Sequence, residues 1–133
     1  MMLPKGAHVA VADGERLNLF RNTGHDRALK QTPVAHQAVS RDNQASGSRQ
    51  NSPSNPDESQ ASEDNFSASV VDYLNKEVLD GRITGLLVIA APRALGEMRV
   101  HYHKALTAAL LGEIAKDLTG HSVADVETAI RGA

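Results

Sequence analysis

The sequence predicts an α/β domain with one mixed sheet, in the order β-β-β-α-β-α-β-α, and a long disordered loop before the first helix. Three observations predict it. An Asp-Gly turn separates two alternating strands near the start. A nearly all-apolar run, Ile83 to Ala90, has the composition of a strand covered on both faces. Segments with apolar residues at helical spacing flank that run.

The hairpin is "HVAVADGERLNLF". Val9 and Val11 alternate with small residues, Asp13-Gly14 supplies the turn, and Leu17 and Leu19 alternate with Arg16 and Asn18. A third strand is expected over Thr32 to Val39, with Pro33 at a strand start or sheet edge. Ser40 to Asp64 holds no Leu, Ile, Val, Met or aromatic residue. Such a stretch cannot offset its ordering entropy by burial and should be mobile. Phe66, Val70, Leu74 and Val78 then recur every four residues, and Gly81 stops the helix they predict. Ser62, Glu63 and Asp64 suit its positive end. After the buried strand, Leu95, Met98, Tyr102, Leu106 and Ala109 mark a second helix, with Pro92 or Arg93 in its first turn.

The segment 110–118 fits two patterns. Leu106, Leu110, Ile114 and Leu118 would extend the helix, whereas Ile114, Lys116 and Leu118 alternate as in a strand. A short strand is preferred, because one helix from Pro92 to Thr119 is long for a small domain. The chain closes in a helix with Ser122 as N-cap, Asp125 as its capping-box partner, and Val123, Val126 and Ile130 on one face. Three meandering strands followed by right-handed helical crossovers give the connectivity of ribonuclease H-like folds.

Composition narrows the function classes. With 133 residues, 41% of them hydrophobic but only 3% aromatic, the chain makes one domain, 1–133, whose core is Val, Leu, Ile and Ala. Cysteine is absent, which removes thiolate metal sites and Cys nucleophiles. A net charge of −2 argues against a general nucleic-acid binder, leaves room for a local basic face, and no DNA partner is expected. The N-terminal residues lack the apolar stretch of a signal peptide, and the longest apolar run is far below the ~20 residues of a membrane span. The expectation is a cytoplasmic protein with no membrane contact.

Catalytic signatures are sparse. A ribonuclease H-like nuclease holds two metals with carboxylates converging within about 4 Å, one of them at the end of the fourth strand. Here that position is Ala90-Ala91-Pro92, followed by the cationic Arg93. Asp13 follows the first strand, but an Asp before Gly is first of all a turn residue. His101 and His103 would diverge by about 200° on a helix and cannot share a metal. His8, His25, His36 and His121 fall at strand ends and turns, with solvated or hydrogen-bonding roles. No GxxxxGKS, GxGxxG or GxSxG is present. No catalytic residue, metal or cofactor is expected.

One constellation stands apart. Arg93, Arg99, His103 and Lys104 follow the buried strand, off its helix's apolar stripe. With Arg41 and Arg49 of the polar loop, and Lys116, they would form a basic edge. The plain reading is a solvated face. The functional reading is a phosphate-contact surface through Arg49, Arg93, Arg99 and Lys104.

Three stretches, "VAVADGERLNLFRN", "NPDESQASEDNFSASVVDYLNKEVLDGRITGLLVIAAPRALGEMRVHYHK" and "GEIAKDLTGHSVADVE", resemble the bacterial host attachment protein family. Its AAPRxLGxxR and KDLTxHxxxxxE patterns are the most specific parts. That family is related to the middle domain of archaeal and eukaryotic peptide-chain release factors, a ribonuclease H-like variant. The resemblance implies that fold and supports a strand at Glu113 to Leu118. In those release factors, the loop before the first long helix carries Gly-Gly-Gln, which triggers peptide release. The corresponding loop here has Gly47-Ser48-Arg49-Gln50, without paired glycines, so that chemistry is not expected. The sequence therefore points to a non-enzymatic interaction module acting on ribosomes or RNA, with a protein partner as a further candidate. The alternative is a hydrolase or nuclease with a degenerate ribonuclease H-like site.

Overall fold

A computed structural model describes residues 3–24, 29–35 and 58–133. Its sheet has five strands: β1 (His8–Ala12), β2 (Leu17–Asn22), β3 (Gln31–Pro33), β4 (Leu86–Ala90) and β5 (Leu110–Ala115). They lie in the order β3-β2-β1-β4-β5. The β1–β2 and β2–β3 pairs are antiparallel, while β1–β4 and β4–β5 are parallel. This is the mixed, ribonuclease H-like arrangement that the sequence predicts.

The helices are α1 (Glu58–Leu79), α2 (Pro92–Val100), α3 (Lys104–Ala109) and α4 (Val123–Arg131). Strand alternation divides the core between the two faces of the sheet. Ala10, Leu19, Leu86, Val88 and Ala90 pack with Phe66, Val70 and Leu74 of α1, with Leu95 and Met98 of α2, and with Leu106 of α3. Val9, Val11, Leu87, Ile89 and Ile114 pack on the other face with Val126 and Ile130 of α4. All five residues of β4 are fully buried, as its composition requires.

The ends of α1 follow different rules. Gly81 adopts φ +81°, the Gly81 amide donates to Val78 O and the Arg82 amide to Glu77 O, so the helix ends in a Schellman turn. Its start departs from expectation. Glu58 to Asp64, expected to close the polar loop, is already helical. The remainder of that loop, including Arg41 and Arg49, lies outside the described residues, as do His25 and His36.

Three further boundaries differ. The third strand begins at Gln31, one residue early, and ends at Pro33. Strand β4 begins at Leu86, with Ile83 buried ahead of it. The fifth strand runs from Leu110 rather than Glu113. It pairs Leu110 with Leu86 and Gly112 with Leu87, so Leu111 is an extra residue at a register shift.

The expected second helix is two. It breaks at His101–His103, where Asn75 of α1 satisfies the interrupted backbone. Its Nδ2 donates to His101 O at 3.1 Å, and its Oδ1 accepts from the His103 amide at 3.0 Å. The His103 ring then caps α3, its Nδ1 accepting from the Ala105 amide at 2.9 Å. Ser122 caps α4 as predicted, accepting from the Asp125 amide at 3.2 Å. The Asp125 carboxylate lies 3.3 Å from the His121 ring.

Candidate functional site

In open α/β sheets, ligands bind beyond the carboxyl ends of the strands. At that end here, β1 runs into Asp13, β4 into Ala91-Pro92 and β5 into Lys116-Asp117. Helix α1 enters at the same end, since a Cβ on Gly14 would collide with the Glu63 side chain.

Every bond that Asp13 makes is local or structural. Oδ1 accepts from the Glu15 and Arg16 amides, both at 2.7 Å. Oδ2 accepts from Thr119 Oγ1 at 2.7 Å, and Arg16 lies 3.7 Å away. The Thr119 hydroxyl also lies 3.0 Å from Asp117 Oδ1, and Asn18 Nδ2 donates to Thr119 O at 3.0 Å. Burial pushes the Asp13 carboxyl up. The bonds from Thr119 and the two amides, with the Arg16 charge, outweigh it and hold the group below the usual carboxylate range. Asp13 thus braces the β1–β2 turn against the segment that follows β5. Among the described residues, no three His, Asp or Glu side chains are grouped to hold a metal.

Within the basic constellation, one member is already paired. Arg99 is held by Glu113 of β5, with Nε at 3.0 Å and Nη2 at 2.9 Å from Oε1. The other carboxylate oxygen accepts from Tyr102 Oη at 2.7 Å. Glu113 reaches both because its register with Val88 points it to the side of the sheet where α2 lies. Burial raises the Glu113 carboxyl, yet the bonds from Arg99 and Tyr102 and the Arg99 charge bring it below its ordinary value. Burial and Glu113 push the Tyr102 hydroxyl far upward.

Arg93 and Lys104 are exposed, and neither has a carboxylate partner among the described residues. They start different helices, α2 and α3. The structure therefore pairs Arg99 with Glu113, and Arg49 lies outside the described residues. Sequence reasoning missed the Arg99–Glu113–Tyr102 clasp. The available signal was an acidic residue, Glu113, on a strand that should sit beside β4.

His101 Nε2 lies 2.9 Å from Glu97 Oε2, one helical turn back, and His103 caps α3. Both rings serve the α2–α3 junction. Among the described residues no helix is long and apolar enough to cross a membrane.

Strand order and element order define a ribonuclease H-like α/β domain. Comparison with protein families gives the particular group: residues 6–130 match bacterial archaeo-eukaryotic release factor family 12, and the chain belongs to that family. A search of curated proteins finds no match.

Proposed function

We propose that the chain is a non-enzymatic binding module that engages ribosomes or RNA. The observation that carries the reading is membership of a release-factor-like family across nearly the whole chain. The site chemistry agrees with it. Asp13 is committed to a turn, β4 ends in Ala90-Ala91-Pro92, and the polar segment before α1 lacks paired glycines. Phosphate contacts need no reacting group and suit such a framework.

On this reading Arg93 and Lys104 contact phosphates directly, with Arg49 of the polar segment. Arg99 contributes less, because Glu113 neutralises it. The test is co-sedimentation with ribosomes, for the full chain and for a variant with residues 40–57 replaced by a short Gly-Ser linker. The expected result is sedimentation with ribosomes at low salt that weakens without the segment. A chain that stays in the supernatant at low salt, and binds no free RNA, overturns the proposal in favour of a protein partner.

A further inference from the structure

The opposite end of the sheet, where β1 begins and α1 finishes, carries a cleft of about 650 Å³. That volume lies within the range of small-molecule sites. Its polar lining includes Lys5, His8, Arg21, Tyr73, Glu77 and Arg82, over an apolar wall that includes Leu19, Val34 and Ile83. Three cations thus face one carboxylate, on a chain whose net charge is −2.

The carboxylate is already used. Glu77 Oε2 accepts from Arg82 Nε at 2.8 Å and lies 2.7 Å from Arg82 Nη2. Tyr73 also bonds to Glu77. The Schellman turn at Gly81 is what brings Arg82 back over Glu77. Lys5 and Arg21 are exposed and have no carboxylate partner among the described residues. The second left-handed glycine, Gly6 with φ +88°, also lines the cleft, and a Cβ there would lie 3.8 Å from Arg21 Nη2.

His8 adds an independent observation. Its Nδ1 is buried and has no hydrogen-bond partner. That nitrogen is shielded, so an anion in the cleft would act on the ring through its charge rather than by bonding to this atom. We propose that this cleft binds a terminal phosphate carrying an attached ring, of the nucleoside monophosphate class. Lys5 and Arg21 hold the phosphate, the His8 ring lines the cleft beside them, and Tyr73, Leu19 and Val34 form the wall against the ring. The phosphate comes from a free nucleotide or from the 5′ end of an RNA, and the chemistry is the same for both. This site lies apart from Arg93 and stands or falls independently of ribosome binding.

His8 also supplies a readout. Burial and the Arg21 charge push the imidazole down, with Glu77 pulling it partly back. A phosphate in the cleft reverses that direction and raises it.

The test is an NMR titration of the full chain with inorganic phosphate, adenosine 5′-monophosphate and adenosine. Saturable shifts are expected at the Lys5, Gly6, His8 and Arg21 amides with the first two probes, with adenosine far weaker. The His8 ring should titrate at higher pH when the monophosphate is bound. Arg21→Ser should weaken monophosphate binding by about tenfold or more, the loss of one charge-assisted bond. Its circular dichroism should be unchanged, because the side chain is exposed. A 5′-phosphorylated RNA oligonucleotide is compared with its 5′-hydroxyl form. Shifts at the same amides from the phosphorylated form alone assign an RNA end, and binding of the monophosphate without the RNA assigns a free nucleotide. Absence of saturable shifts with phosphate and monophosphate at millimolar concentration overturns the proposal. So does monophosphate binding that is indifferent to both Arg21→Ser and Lys5→Ser.

Discussion

Tyr102→Phe isolates the clasp that ties the α2–α3 junction to the sheet edge. The ring stays and one hydroxyl goes, which removes a 2.7 Å bond to Glu113 Oε2. Glu113 keeps both Arg99 contacts on its other oxygen. A hydrogen bond to a charged group contributes about 1.5–3 kcal/mol. The low end applies, because the Glu113 side chain is 20% exposed and water can replace the hydroxyl. The expected loss is about 1.5 kcal/mol, or roughly 5 °C in Tm for a chain of this size. Urea denaturation of the parent, Tyr102→Phe, Glu113→Gln and the double variant gives the coupling directly, expected at about 1 kcal/mol. The folded Glu113 carboxyl is depressed, so its contribution is present above the unfolded value near ~4.3 and is lost as pH falls through the folded value. The gap between parent and Tyr102→Phe should therefore close in that acid range. Zero coupling, or a gap that persists where Glu113 is protonated, would refute the clasp.

Two other predictions concern backbone and charge. Gly81→Ala should destabilise by about 1 kcal/mol through its left-handed φ alone, since a Cβ there meets nothing within 4 Å. Gly96→Ala, exposed inside α2 and equally free of contacts, should stabilise by about 0.5–1 kcal/mol, and thermal denaturation of the pair reads both signs. The folded Asp13 carboxyl is also depressed, so the parent should lose stability as pH falls below ~4 and through the folded value. Asp13→Asn should be less stable at neutral pH and show a flatter decline over that window in pH-dependent urea denaturation.

How much of this was legible depended on whether a contact was local. The β1–β2 hairpin, the Gly81 stop and the Ser122 cap all rest on neighbours in sequence, and they stand where the residues put them; β4 was legible in its own apolar run, although it starts at Leu86 rather than Ile83. The α2–α3 break does not. Leu106 continues the apolar period of Leu95, Met98 and Tyr102 straight across it, and the break is stabilised by Asn75, a side chain from another helix. The start of α1 was missed for a related reason. Glu58 to Asp64 precedes Phe66, the first residue of the helix's apolar stripe, so no period marks it. The basic edge misled because charge is visible in a sequence and pairing is not. Arg99 lies 14 residues from the Glu113 that holds it. The cleft at the other end of the sheet draws on β1, β2, α1 and the segments beside them, which only the fold brings together.

The account's central claim is phosphate-directed binding to ribosomes or RNA, and affinity across a salt series tests it most directly. Binding of the parent should weaken steeply as salt rises, with little sequence preference. Arg93→Ala and Lys104→Ala should each lower the slope of log affinity against log salt by about one unit, and Arg99→Ala by less, because Glu113 already neutralises it. Binding that is insensitive to salt, a slope unchanged by Arg93→Ala and Lys104→Ala together, or no binding at all at low salt would contradict the account.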